Sequence, residues 1–401
     1  MTVANPLEQL TESALREQRT SVKWHAFPPD VLPLWVAEQD SVLAEPVVRS
    51  VVEAMQRGDT GYVASGQGYA EALASFAVDR WGWSPDIEHT AIVPDVMIGV
   101  TEMLRLVTEP GDNVVVNCPV YPPFYSFVRS MDRTIVESAL TAEHRLDLED
   151  LDRAFGEATA GGKRAAYLLC SPHNPTGTLH TAAELEAVAE LAARHGVRVV
   201  ADEIHAPLVY PGKTFVPFLS VPGGERGMSL MSASKGWNLA GLKSALALAG
   251  PEAAADLARL PEEVGHGASH VAVTAHVAAY RDGGMWLDAL LDGLDANRHL
   301  MANLVAQHLP GVGYRVPEAT YLAWLDCRSL GIADPPAEPG LVTLSVGPAN
   351  FFAQEAKVGL SAGTAFGTGG SGHVRLNMAT SQAILTEALE RMGRATPPAF
   401  S

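Results

Sequence analysis

The chain has 401 residues, 47% of them hydrophobic and 18% charged, and a formal net charge of -18. This balance is typical of a folded protein with a sizeable core, and the length predicts more than one domain. The negative charge argues against nucleic acid or an anionic membrane as a partner, although a few local arginines would suffice to bind an anionic small substrate.

The cysteines and the apolar runs predict a cytoplasmic protein without a membrane partner. Cys118, Cys170 and Cys327 have no spacing typical of a disulfide framework or a metal site, so we expect neither. The N-terminal sequence is polar and acidic, unlike a signal peptide. No apolar run approaches the roughly 18 residues of a transmembrane helix.

The first forty residues predict loops, because Pro28, Pro29 and Pro33 oppose helix formation. Two amphipathic helices are predicted next, over residues 45–58 and 68–82.

Short apolar runs alternate with helical patterns from about Thr90 onward, which indicates βαβ units around a mostly parallel sheet. The runs are apolar throughout rather than alternating, so we expect both faces of the sheet to be covered. The predicted strands are 90–94, 113–117, 133–137, 164–170 and 197–202, with 228–234 and 244–250 as further strands of the same sheet.

The chain becomes helical after Pro251 and then takes on an α+β texture. We predict an N-terminal segment 1–45 that joins a smaller α+β domain at 286–401, and a large domain at 46–285. Within the smaller domain we expect strands at 320–327 and 373–379 and helices at 350–358 and 381–393. The Pro- and Gly-rich stretch 334–348 predicts a surface insertion.

Three segments that each follow a predicted strand carry the polar chemistry: SPHNPTG at 171–177, ADEIH at 201–205 and SASKGWNLAGLK at 232–243. In open α/β sheets, ligands bind outside the carboxyl ends of the strands, so these segments are expected to meet in one pocket.

The residue types in these segments suit pyridoxal phosphate (PLP). Lys235 supplies the amine that forms an imine with the cofactor, and Asp202 supplies the buried carboxylate that keeps the pyridine nitrogen protonated. Asn174 is expected to hydrogen-bond the phenolic oxygen, and Tyr121 to stack on the ring. We expect the phosphate to bind hydroxyls, a cation and a helix N-terminus, namely Ser232, Ser234, Lys243 and a helix that opens at Gly99-Val100-Thr101.

Each of these residues also has an ordinary structural interpretation. Lys235 alone would be a surface lysine, Asp202 a capping residue and Tyr121 a core aromatic. Arg375 could form a structural ion pair, and His205 could be a buried structural histidine. The order and spacing of the whole set favour the cofactor site.

With these motifs in view, the chain resembles fold-type-I PLP enzymes of the aminotransferase class I/II superfamily. Within it, the chain is most similar to the cystathionine β-lyase group described as MalY/PatB-like C–S lyases. The resemblance covers essentially the whole chain and rests on LPLWVAEQD, GDTGY, PVYPPFY, CSPHNPTG, ADEIHAPLVY, SASKGWNLAGLK and HVRLNMATS, in that order. It implies an aspartate aminotransferase-like fold, with a large α/β domain and a smaller α+β domain.

The resemblance gives each site residue an expected role. It assigns Lys235, Asp202, Asn174 and Tyr121 the roles above, and it places Val100, Thr101, Ser232, Ser234 and Lys243 around the phosphate. It implies a homodimer with shared active sites, in which Tyr62 reaches the phosphate of the neighbouring subunit. Arg375 would clamp the substrate's α-carboxylate. His205 falls where many aminotransferases have tyrosine, and Glu38-Gln39-Asp40 departs from the Asp-Met-Asp that is usual in the group.

The implied activity is β-elimination from cystathionine or a related S-substituted cysteine, giving pyruvate, ammonia and a thiol. An aminotransferase on the same scaffold is the first alternative, because it would share every cofactor residue. A cofactor-binding transcriptional regulator is the second, but no basic helix-turn-helix segment precedes the fold. The sequence leaves open which sulfur amino acid is the substrate.

Overall fold

A computed structural model describes residues 3–334 and 346–396 of the chain. Most of the predicted insertion at 334–348 therefore lies outside the described residues. The N-terminal segment contains α1 (Glu12–Gln18), α2 (Val22–His25) and β1 (Leu32–Pro33), so the prediction of loops alone was wrong there. Thr11 caps α1 by accepting a hydrogen bond from the backbone N–H of Ala14, and the three prolines come only after both helices.

A seven-stranded sheet forms the centre of the large α/β unit. Its spatial order is β2-β8-β7-β6-β5-β3-β4, with parallel pairing from β7 to β4 and antiparallel pairing of β8 with both of its neighbours. The predicted mostly parallel sheet is confirmed. The strands are β2 (Thr90–Val93), β3 (Asn113–Cys118), β4 (Thr134–Ala139), β5 (Ala165–Cys170), β6 (Arg198–Asp202), β7 (Met228–Met231) and β8 (Ala245–Ala249).

Helices cover both faces of this sheet, as its continuous apolar strands require. Along β5, Leu168 packs in the cluster beneath α5 and α6, whereas Tyr167 and Leu169 pack beneath α7 and α8. The helices of this part of the chain are α3 (Glu45–Arg57), α4 (Gln67–Trp81), α5 (Val96–Val107), α6 (Pro123–Ser130), α7 (Leu148–Ala158), α8 (Ala182–His195), α9 (Ala254–Leu257), α10 (Glu262–His266) and α11 (His270–Asp282).

The helix α12 (Gly284–His308) connects the two halves of the molecule. Trp286, Leu287 and Leu290 near its start join the core beside β8, whereas Met301 and Val305 join the core of the smaller α+β unit. Among the residues that the structure describes, no helix combines the length and apolar character that a membrane crossing requires.

The smaller unit contains an antiparallel sheet of order β12-β13-β10-β9 with helices packed against it. The predicted helix over 350–358 is instead a short α-helix followed by a π-helical turn, Phe352–Ala356. β1 joins this unit by pairing in parallel with β11, so Leu32 lies opposite Val358. The elements are β9 (Gly313–Tyr314), β10 (Leu322–Asp326), α13 (Gly347–Phe351), β11 (Val358–Gly359), β12 (Ser361–Ala362), β13 (His373–Asn377) and α14 (Gln382–Ala395).

Candidate active site

A cavity of about 270 Å³ lies at the carboxyl-terminal edge of the large sheet, where the three polar segments meet. Asp202 is the last residue of β6, whereas Asn174 and Ser232 follow the ends of β5 and β7. Parallel strands bring loops that are distant in sequence to one edge of the sheet, so these residues line one cavity. The other predicted residues that line the cavity are Tyr121, His205, Ser234, Lys235 and Lys243.

Lys235 reaches this cavity from the loop after β7. Its Nζ donates a hydrogen bond to the carbonyl oxygen of Ala37 at 2.8 Å. Burial lowers the pKa of Lys235 to about 8, and the positive charge of Arg375 acts in the same direction. The side chain is therefore neutral in a substantial fraction of molecules at mildly alkaline pH, as a nucleophilic or basic amine requires.

Gln39 holds the lysine loop from the N-terminal segment, a role that the sequence did not indicate. Its Nε2 donates to the carbonyl oxygen of Lys235 at 2.7 Å and to that of Gly236 at 3.3 Å. The Gln39 backbone also exchanges two hydrogen bonds with the Asn238 side chain, both at 2.9 Å. The one sequence feature that pointed to Gln39 was that Glu38-Gln39-Asp40 stands where the resembled group usually has Asp-Met-Asp.

Asp202 ends β6 and is 4% exposed. Burial raises the pKa of its carboxyl to about 6, while the backbone N–H of Ile204 and the charge of Lys235 favour the ionised form. A protonated nitrogen beside it would stabilise the carboxylate further, which is the interaction expected with a pyridinium.

Hydroxyls and a cation gather at one end of the cavity. The Ser232 hydroxyl donates to the carbonyl oxygen of Ser244 at 2.8 Å and accepts from the backbone N–H of Ser234 at 3.2 Å. Lys243 forms an ion pair with Asp95 at 2.9 Å. Asp95 is the N-cap of α5, so the cation lies close to a helix N-terminus. These groups suit a phosphate.

The structure does not bring Val100 and Thr101 to this cavity. α5 begins at Val96, so both residues lie one turn further along the helix than expected. Val100 is fully buried in the apolar core, and the Thr101 hydroxyl bonds back to the carbonyl oxygen of Met97. Asp95, Val96 and Met97 line the cavity instead. An N-cap aspartate directly after a strand was a readable signal for this earlier helix start.

Asn174 and Arg375 meet although 200 residues separate them in the chain. The Arg375 Nη1 donates to the Asn174 Oδ1 at 3.0 Å, and its Nη2 donates to the carbonyl oxygen of Trp35 at 3.0 Å. Burial lowers the pKa of Arg375 to about 10, so the guanidinium stays charged at neutral pH. Its buried Nε has no hydrogen-bond partner among the described residues, so this N–H donor is unsatisfied.

Burial shifts the pKa values of Tyr121 and His205 in opposite directions. Burial and the Asp202 carboxylate raise the pKa of Tyr121 to about 12, so its phenol stays neutral. Burial, together with the charges of Lys235 and Arg375, holds the pKa of His205 well below its ordinary value. His205 is 3% exposed, and its Nδ1 has no partner in the described chain.

Tyr62 lies outside this cavity and is 89% exposed. Its place is therefore not explained by contacts within one chain. An exposed tyrosine of this kind is what the resemblance implies for a residue that serves a neighbouring subunit.

The residues present fit PLP. The cavity combines an amine of lowered pKa, a buried carboxylate, hydroxyls beside a cation, and an aromatic ring. His205, whose buried Nδ1 has no hydrogen-bond partner among the described residues, is one of the residues that line the same cavity. Because buried polar atoms are nearly always hydrogen-bonded, an atom of this kind beside the cavity is compatible with a bound cofactor.

Comparison with known proteins identifies the family of the chain. Residues 40–392 match the family described as aminotransferase class I and II. A provisionally named cystathionine beta-lyase of Mycobacterium leprae is 58% identical over 98% of each chain, and the cystathionine beta-lyase PatB of Bacillus subtilis is 33% identical over 94% of this chain and 97% of its own. A provisionally named PLP-dependent beta-cystathionase of Corynebacterium diphtheriae, at 33% identity, superposes with a TM-score of 0.86 over 96% of this chain and 98% of its own. The chain therefore belongs to the aminotransferase class I and II family of PLP-dependent enzymes.

Proposed function

We propose that this protein is a carbon–sulfur β-lyase that converts S-substituted cysteines, including cystathionine, and water into a thiol, pyruvate and ammonia. The observation that carries the proposal is that the charge of a buried arginine, Arg375, acts on an amine of lowered pKa, Lys235, in the cavity. In this proposal Arg375 binds the substrate's carboxylate. The names of the relatives that share at least 30% identity with the chain support the same reaction.

Lys235 is the catalytic base in this proposal. Its Nζ removes the proton from the substrate's Cα, which requires a neutral amine, and the pKa of about 8 makes that form accessible. When bound, PLP supplies the electron sink that makes this proton acidic enough to remove. Loss of the thiolate from Cβ follows.

Asp202 and Asn174 set the electronic state of the cofactor. The Asp202 carboxylate holds a proton at the pyridine nitrogen, a task for which it must be ionised. The Asn174 Oδ1 already accepts a hydrogen bond from Arg375, which leaves the Asn174 Nδ2 to donate to the phenolic oxygen. Asn174 thereby connects the cofactor with the group that binds the substrate.

Arg375 orients the substrate. A planar guanidinium grips a carboxylate in a fixed direction, so it can align the Cα–H bond with Lys235 as well as add affinity. Tyr121 stacks on the ring, and Ser232, Ser234 and Lys243 hold the phosphate. His205 lies beside the cofactor as a neutral imidazole.

The active form is a homodimer in this proposal. Val48, Val52 and Met55 form an exposed apolar stripe on α3, at 44%, 45% and 59% exposure, and Tyr62 follows the same helix. Positions four and three residues apart share one face of a helix, so a second copy could cover all three. The same copy would bring its phosphate site to Tyr62.

A product assay tests the reaction. The holoenzyme is incubated with cystathionine, cystine and S-alkyl cysteines, and the release of pyruvate and free thiol is measured. Equal amounts of pyruvate and thiol are expected from cystathionine and the S-alkyl cysteines, whereas cystine should give pyruvate and a cysteine persulfide. Formation of an amino acid from an added 2-oxo acid, without thiol release, would instead identify an aminotransferase. Borohydride reduction followed by peptide mass spectrometry is expected to place the cofactor on Lys235, and an adduct on Lys243 would overturn that assignment.

A further inference from the structure

A loop of the small unit, residues 363–370, crosses to the large sheet and ends above the substrate arginine. It connects β12 with β13, the strand that carries Arg375. The Phe366 ring in this loop lies 5.1 Å from the Arg375 guanidinium carbon, and its edge also meets the Trp324 ring at 5.1 Å. Phe366 is 1% exposed, so its buried ring covers one side of the guanidinium in a cation–π contact.

Glu137 fastens this loop to β4, the edge strand of the large sheet. Its carboxylate accepts hydrogen bonds from the Tyr125 hydroxyl at 2.6 Å and from both the hydroxyl and the backbone N–H of Thr368. A charged acceptor makes such bonds stronger than neutral ones. One side chain therefore joins α6, β4 and the loop.

Two backbone features bring the loop close enough for these contacts. The carbonyl oxygen of Phe366 accepts a hydrogen bond from the backbone N–H of Val120 at 2.8 Å. Gly367 adopts φ +89°, and a Cβ at this position would overlap the Tyr125 hydroxyl. Val120 precedes Tyr121, so the loop is tied to the same segment that supplies the ring-stacking residue.

We propose that Glu137 is a positioning residue for substrate binding: by tying the 363–370 loop to β4, it holds Phe366 over Arg375 and keeps the guanidinium in place for the α-carboxylate. Glu137 is not among the residues that line the cavity, so in this proposal it acts through the loop rather than by contact with substrate or cofactor. The inference rests on the proposed role of Arg375, but it does not require that the reaction be β-elimination.

The experiment measures the affinity of the holoenzyme for L-alanine, which carries the α-amino and α-carboxyl groups but no leaving group at Cβ. Binding is followed by the change in cofactor absorbance, and hydrogen exchange reports the opening of residues 363–370. Glu137→Gln is expected to raise the Kd roughly three- to tenfold, which corresponds to one net hydrogen bond, and to speed exchange in the loop. PLP content should stay close to wild type, and the urea unfolding midpoint should fall only by the small amount that one net hydrogen bond contributes.

A second pair of variants separates positioning from folding. Thr368→Val removes one hydroxyl donor to Glu137 and should reproduce the weaker binding, whereas Thr368→Ser should restore it. Glu149→Gln removes a charge from an exposed position of α7 and serves as the control. An unchanged Kd in Glu137→Gln, with or without faster exchange, would overturn the proposal, as would equal effects of Thr368→Val and Thr368→Ser. If the wild-type enzyme releases no thiol, the lyase proposal fails, but the L-alanine comparison still decides this one.

Discussion

Replacing Arg375 with lysine is expected to lower kcat/KM by about 10- to 150-fold and to leave the PLP content unchanged. Arg375 is 6% exposed, and two of its nitrogens bond Asn174 and the Trp35 carbonyl while Nε remains for the substrate. Lysine presents one nitrogen in place of three, so it cannot keep these contacts and grip a carboxylate together. The range follows from about 1.5–3 kcal/mol for a hydrogen bond to a charged group, at about 1.4 kcal/mol per tenfold change.

The assay compares steady-state thiol release with the melting temperature of the same preparation. Arg133→Lys is the matched control, because Arg133 is 8% exposed and its side chain bonds only Thr108 and the Met131 carbonyl among the described residues. This control should lose thermal stability and keep its kcat/KM. If Arg375→Lys behaves like the control, Arg375 has a structural role and does not bind the substrate.

Three further predictions address the cofactor and the assembly. Asp202→Asn should retain PLP but lower kcat by about 10²-fold or more, because an amide cannot keep the pyridine nitrogen protonated; near-normal turnover would give Asp202 another role. Burial raises the pKa of Asp202 to about 6 in the cofactor-free fold, so the protonated carboxyl contributes stability that is complete below pH about 4 and is lost as the pH rises through 6. The free energy of unfolding in urea should therefore fall less over this pH range for Asp202→Asn than for wild type. Met55→Glu should yield monomers, measured by light scattering, that retain less PLP, measured by absorbance. The control Met285→Glu changes a methionine that is 67% exposed and should stay dimeric. A fully active, PLP-replete wild-type monomer would contradict the dimer proposal.

The large sheet and the centre of the site were predictable because local patterns specify them. Apolar runs predict the strands, and polar residues at or shortly after the strand ends, such as Asp202 and Asn174, meet at one edge of a parallel sheet. The start of α5 was misplaced by one turn because its apolar pattern runs through Gly99 without a break, although Asp95 is a standard N-cap.

The remaining parts of the site depend on contacts between distant segments, which leave no periodic trace in a sequence. The hold of Gln39 on the lysine loop and the approach of Phe366 to Arg375 both belong to this class. The two-residue strands β11 and β12 could not be predicted for the same reason, because only their pairing with β1 and β13 makes these residues strands.

The pairing of β1 with β11 has a consequence for how the protein is made. Residues 32–38 supply the Ala37 carbonyl to Lys235 and the Trp35 carbonyl to Arg375, and they are held there by β11 and by the Asn377 side chain. During synthesis this early segment lacks both β11 and the Asn377 side chain until the ribosome has passed residue 377. The sheet can form first, since its strands are complete by residue 249. The nascent chain therefore completes the Arg375 side of its site only after residue 377 has been synthesised, and products truncated before that residue should fold in part without a complete site.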